Sequence, residues 1–171
     1  MPARRLAVAA LLTAALAGSA AAQPSSRPAI DMLRRADALL EERELDSARM
    51  LYLRAERLCR RALDTVCETR AQRGLGYVAL SAGDTGVAAQ AFGRGLERAA
   101  EAEDAVAEAK AVIGLADIAM AQRGPYRAGL LYQRALEAFR GAGDRAGEDM
   151  ASRGLDAAAA LAARLEQLDA R

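Results

Sequence analysis

The most regular succession of apolar and polar positions lies between Gly114 and Phe139, where it describes two helices joined by a tight turn. Ala116, Ala119, Ala128 and Ala135 fall where two helical backbones approach closely. Leu115, Tyr132 and Leu136 fall where a core must be filled. The break at Arg123-Gly124-Pro125 ends one helix and starts the next, with Gly124 expected in the left-handed end and Pro125 in a first turn. Comparable breaks stand at Gly83-Asp84 and, more weakly, at Arg43-Glu44. Asp64, Asp104 and Asp144 are expected helix N-caps, with Glu68, Glu108 and Glu148 in the following first turn, where negative charge meets the positive end of the helix. These signals predict helices near residues 28–42, 45–61, 65–82, 85–101, 105–122, 125–140 and 145–168.

The breaks recur because the chain repeats. A shift of 40 residues aligns Tyr52, Phe92 and Tyr132, then Ala48, Ala88 and Ala128, then Ala36, Gly76 and Ala116. The capping aspartates and first-turn glutamates form two further columns, and Gly74-Leu75, Gly114-Leu115 and Gly154-Leu155 carry the register into a fourth, incomplete unit. In a chain so rich in alanine, the aromatic and acidic columns carry the weight of this alignment.

The middle unit, with Leu75-Gly76, Ala79, Gly83-Asp84, Ala88, Phe92 and Gly95-Leu96, resembles a tetratricopeptide repeat. So does the third, with Leu115-Ala116, Ala119, Ala128, Tyr132 and Ala135-Leu136. The first unit is looser: it keeps Ala36, Ala48, Tyr52 and Ala55 but has Arg34 and Arg35 where the others have Gly and Leu. The resemblance covers the chain from about Ala29 to its end. It departs from the family in its period of 40 rather than about 34, in having no Trp, and in lacking a proline that closes each repeat. HEAT-type repeats, with periods of about 40–47, are the structural rival, and the aromatic set between two alanines favours the tetratricopeptide pattern. The resemblance implies an all-α fold, an α-solenoid of three helical hairpins over about residues 29–68, 69–108 and 109–148 with a capping helix over 145–168. It also implies a module that binds proteins.

Stacked hairpins bury their apolar faces against one another, so the end units should differ from the middle. Arg34 and Arg35 then face no preceding unit. At the other end Met150, Leu155, Leu161, Leu165 and Leu168 recur at helical spacing, while Arg153, Arg164, Glu166 and Asp169 give a wet face.

Composition agrees with helices: hydrophobic residues make up 53%, much of it alanine, and aromatics only 4%. Residues 1–22 are set apart as a leader expected to be cleaved. Arg4 and Arg5 precede the apolar run Leu6 to Ala17, and Ala20-Ala21-Ala22 offers small residues before Gln23. That run is too short to span a bilayer, which takes about 20 residues, so no membrane span is expected after cleavage and a periplasmic or secreted location is. Residues 23–27 are a polar linker and 28–171 the repeat domain. Removing Arg4 and Arg5 leaves 22 basic against 23 acidic residues, a balance with no electrostatic footprint for nucleic acid.

There is no His, and Ser81, Ser152, Thr65 and Thr85 have no base to activate them. No catalytic residue, metal site or cofactor site is therefore assigned, and the chain is expected not to be an enzyme. Cys59 and Cys67 fall in the last turn of one helix and the first turn of the next, so the turn between them can bring them together. Export favours a structural disulfide, and two buried free thiols are the main alternative.

The first helices of such hairpins line the inner face. Arg70, Arg73 and Tyr77 share one helical face; Lys110, Ile113 and Asp117 take the matching places one unit on, followed by Met150 and Arg153. This set is expected either to hold an acidic or extended peptide segment or to be a solvated face of mixed charge. Some tetratricopeptide proteins clamp a C-terminal carboxylate with paired Lys and Asn residues. This chain has no Asn and only Lys110, so that mode is not carried over. The sequence names no partner and no oligomeric state, and contact through the convex or end surfaces of the stack is the alternative to a groove.

Overall fold

The computed structural model describes residues 25–170. The leader expected over Met1 to Ala22, with Gln23 and Pro24 of the linker, lies outside these residues. Seven helices follow in order: α1 (Arg27–Glu41), α2 (Leu45–Arg61), α3 (Thr65–Ser81), α4 (Thr85–Glu101), α5 (Ala105–Ala121), α6 (Pro125–Ala142) and α7 (Arg145–Asp169). Among the described residues there is no strand.

All six connections are built alike. A residue in the left-handed conformation recurs every twenty positions, at Arg43, Leu63, Gly83, Glu103, Arg123 and Gly143, with φ between 53° and 84°. The next residue returns its backbone N–H to the carbonyl five positions back, as in Asp64 to Cys59 (3.0 Å) and Asp84 to Ala79 (2.9 Å). That same residue is the N-cap of the following helix. The carboxylates of Asp64, Asp84, Asp104 and Asp144 accept from the N–H groups of Cys67, Val87, Ala107 and Gly147 at 2.9 to 3.2 Å. At the break before Pro125 the left-handed residue is Arg123, not Gly124 as expected. Gly124 sits one place later, as the N-cap of α6 at φ −103°. The periodic architecture dictates this, since the left-handed position falls at the same point of every turn whatever residue occupies it.

Each helix packs on its neighbours in the chain. The odd-numbered helices also touch one another in succession, and among the described residues the even-numbered ones do not. The stack therefore curves with α1, α3, α5 and α7 on its inner side, and the whole is an all-α solenoid.

The aromatic column is the hinge of the packing. Tyr52, Phe92 and Tyr132 are buried, and each ring lies against a glycine of the next unit's first helix. A Cβ built on Gly74, Gly114 or Gly154 would stand 2.2, 2.3 or 2.5 Å from the ring of Tyr52, Phe92 or Tyr132. Side chains that would hold these helices apart are absent where the rings enter, so each ring is shared between two units. Burying one such ring contributes about 1.5–3 kcal/mol.

The junctions between hairpins are filled in three ways at equivalent positions. In the first, Cys59 and Cys67 are bonded, with Sγ–Sγ 2.06 Å and Cα–Cα 5.5 Å. In the second, Ala99 is buried with Ala107 at the matching place. In the third, the Phe139 ring lies on Gly147, where a Cβ would be 2.2 Å from Cδ1. Beside the first junction, Arg60 joins Glu56 (2.5 Å) and Glu68 (3.2 Å), and Gln72 donates to Glu56 at 2.6 Å. Both glutamates are almost fully buried, and these partners compensate their lost hydration.

α7 ends the stack. Where α5 presents Ala109, Ile113 and Ala116 to its hairpin partner α6, α7 carries Asp149, Arg153 and Asp156, all exposed or nearly so. These polar side chains take the face on which a further second helix would pack.

Candidate functional site

The inner face is built from α1, α3, α5 and α7, with tyrosines of α2 and α6 reaching its floor. Its floor is a set of hydrogen bonds between tyrosines and aspartates that follows the repeat. Tyr52 Oη donates to Asp37 Oδ1 at 2.7 Å, and one double unit later Tyr132 Oη donates to Asp117. In the unit between, the aspartate position is Tyr77 and the tyrosine position is Phe92. These two rings meet edge to face, with centroids 5.0 Å apart and planes at 76°. Tyr77 Oη turns instead to the next unit and donates to Asp117 Oδ2 at 3.1 Å. One carboxylate thus receives two phenols from different hairpins.

The electrostatics follow from this arrangement. Burial pushes the phenols of Tyr52, Tyr77 and Tyr132 far above their ordinary range, and the facing carboxylates of Asp37 and Asp117 push in the same direction. Burial likewise raises the Asp117 carboxyl, and the hydrogen bonds from Tyr132 and Tyr77 offset part of that rise.

Above this floor stand the cations. Arg70 Nη2 lies 2.5 Å from Asp37 Oδ2, and Lys110 Nζ lies 3.7 Å from Asp144 Oδ2. Arg73 is half-buried and has no carboxylate partner among the described residues. Two adjoining cavities open here. One, of about 490 Å³, is lined by Arg73, Tyr77, Lys110, Asp144, Ala146 and Met150. The other, of about 250 Å³, is lined by Val66, Arg70, Arg73, Asp104, Val106 and Lys110.

Of the residues expected to line a groove, Arg70, Arg73, Tyr77 and Lys110 come together on this face. Asp117 lies beneath it, engaged by its two tyrosines. Ile113 is not free: it is 3% exposed and belongs to the core between α5 and α6. It shares a repeat column with Arg73, whose long apolar stem can carry a charged head out to the groove, whereas an isoleucine ends inside. Arg153 occupies that column in α7 and is exposed, but it is not among the side chains lining either cavity. Asp37, Val66, Val106 and Asp144 were missing from the expected set. The 40-residue register already pointed to them, since Asp37 aligns with Tyr77 and Asp117, and Val66 with Val106 and Ala146.

A second concavity, of about 500 Å³, lies at the end of the stack between α6 and α7. Leu155, Ala159 and Ala162 line it, beside the exposed Tyr126 and Leu130. Tyr126 Oη donates to Glu166 Oε1 at 2.6 Å across its mouth. Among the described residues no cluster of three or more His, Cys, Asp or Glu side chains is placed to hold a metal ion, and no helix is long and apolar enough to cross a membrane. No protein-family model matches this chain, and no curated protein matches it either.

Proposed function

We propose that this chain is a non-enzymatic, tetratricopeptide-like interaction module of the bacterial cell envelope, exported by its leader to the periplasm or beyond, which holds a peptide or protein segment in its inner groove. The observation that carries the proposal is the contrast on the first helices. Packing consumes Ile113, Ala116 and the glycines, while Arg70, Arg73, Tyr77, Lys110 and Met150 converge on two open cavities. The tyrosine–aspartate floor holds that surface in one shape before any partner arrives, which lowers the entropy lost on binding. The groove is open and polar at its centre, which suits an extended chain better than an enclosed small molecule.

The exposed Tyr126 and Leu130 beside the α6–α7 concavity favour a second reading, an accessory subunit that contacts its complex through the end of the stack. Capture from an envelope extract with the wild-type chain and with Arg73→Glu/Lys110→Glu separates the two. Loss of the captured protein with unchanged helicity supports the groove. Retention in that variant, with loss in Leu130→Glu, supports the end surface.

A further inference from the structure

Arg73 and Lys110 line both inner cavities and so stand on the saddle between them. To one side Tyr77, Ala146 and Met150 form a largely apolar recess. To the other, Val66 and Val106 flank a smaller one, and Val66 is 60% exposed.

The carboxylates around this saddle are already committed. Asp37 accepts from Tyr52 and Arg70, Asp117 from two phenols, and Asp104 from the backbone N–H of Ala107. Asp144 caps α7 through the Gly147 N–H and reaches Lys110 only at 3.7 Å. Of the three cations around the saddle, Arg70, Arg73 and Lys110, set against these four carboxylates, only Arg73 is left without a carboxylate partner among the described residues, and it stands half-buried between Tyr77 and Met150 on one side and Val66 and Val106 on the other.

We infer that the groove takes an extended segment of another protein with an internal acidic side chain over Arg73 and Lys110 and an apolar side chain two positions to either side. This rests on the groove reading above and adds the chemistry of the partner. An acidic group at the saddle gains charge-assisted hydrogen bonds from a guanidinium that has no internal acceptor to give up. In an extended chain alternate side chains share a face and lie about 6.6 Å apart, so the residues flanking the acid by two positions are directed toward the two recesses.

The test is selection from a displayed library of random internal dodecapeptides on the full chain, then titration of a selected peptide. Expected is enrichment of Asp or Glu flanked by apolar residues two positions away. Binding should weaken about tenfold when the acid is changed to its amide, or when the chain carries Arg73→Gln/Lys110→Gln with helicity and melting retained. Selected peptides that move the amide signals of Tyr77 and Met150 but need no acidic residue would overturn this inference and leave the groove reading standing. Peptides that bind without moving those signals, or no selection at all, would overturn both.

Discussion

Replacing Gly114 by alanine adds one methyl group, and that group would stand 2.3 Å from Cε1 of Phe92. Carbon atoms in contact sit about 3.5–4.0 Å apart, so the ring or the helix must yield by more than about 1 Å. The ring has nowhere to go. Phe92 is fully buried, Gly76 also crowds its Cε1, where a Cβ would be 2.6 Å away, and the Tyr77 ring packs edge to face with it. Overpacking a site of this kind costs about 1–3 kcal/mol, and so large an overlap belongs near the top of that range. Against this, alanine is better than glycine inside a helix by about 1 kcal/mol. The net expectation is a loss of about 2 kcal/mol, or a fall in melting temperature of about 4–8 °C for a chain of this size. Thermal and urea melts followed by circular dichroism measure it. Gly129→Ala is the control, because a Cβ there meets nothing within 4 Å and the helix-propensity gain should appear alone. In a Phe92→Leu background the penalty of Gly114→Ala should shrink, since Cε1 and Cζ, two of the three ring atoms it strikes, are gone. If Gly114→Ala stabilises the wild-type chain as Gly129→Ala does, the shared-ring account of the packing is refuted.

The turns give an opposite effect. Leu63 sits at φ 55° and is 78% exposed, so Leu63→Gly removes about 1–2 kcal/mol of left-handed strain against about 0.5–1 kcal/mol of added chain entropy. A rise in melting temperature is expected, and Gly83→Ala should lower it. Tyr52, Tyr77 and Tyr132 keep their protons in the folded chain beyond the ordinary phenol value of 10.0, where the unfolded chain has released them. Their contribution is therefore complete below pH 10.0 and is lost as pH rises above it, by up to about 4 kcal/mol per pH unit for three protons. In an absorbance titration the exposed Tyr126, whose phenol is raised above its ordinary value by the hydrogen bond to Glu166, should ionise before the other three, which do so only as helicity disappears. The Cys59–Cys67 bond closes a loop with a separation of 8 residues, so Cys59→Ala/Cys67→Ala should lose about 2.5 kcal/mol. Thiol titration of the denatured, unreduced chain should find no free thiol.

The architecture was legible in the sequence because it is written several times over. Asp64, Asp104 and Asp144 announce helix starts at a fixed distance, and the expected helices agree with the observed ones to within two residues at each end. Gly74, Gly114 and Gly154 were visible as a column, but not as the seats of the rings twenty-two residues earlier, since that pairing is a contact between units. The site was only half legible for the same reason. Helical spacing puts Arg73 and Ile113 in one column, yet it does not say how far each side chain reaches. α6 covers Ile113, while the aliphatic stem of Arg73 carries its charge past the packed layer to the cavities. At Arg153 the column continues, but among the described residues no second helix covers it and it lines neither cavity. The loss of Tyr from the middle unit, with Phe92 in its place, becomes intelligible only once Tyr77 is seen to take the aspartate's position and pass its hydroxyl to Asp117.

The groove itself is tested most directly by mapping backbone amide shifts of the isotope-labelled chain as a captured partner, or a selected peptide, is added. The expected result is a set of shifts centred on Arg70, Arg73, Tyr77, Lys110 and Met150. Shifts confined to Tyr126, Leu130 and Glu166 at the end of the stack would contradict it.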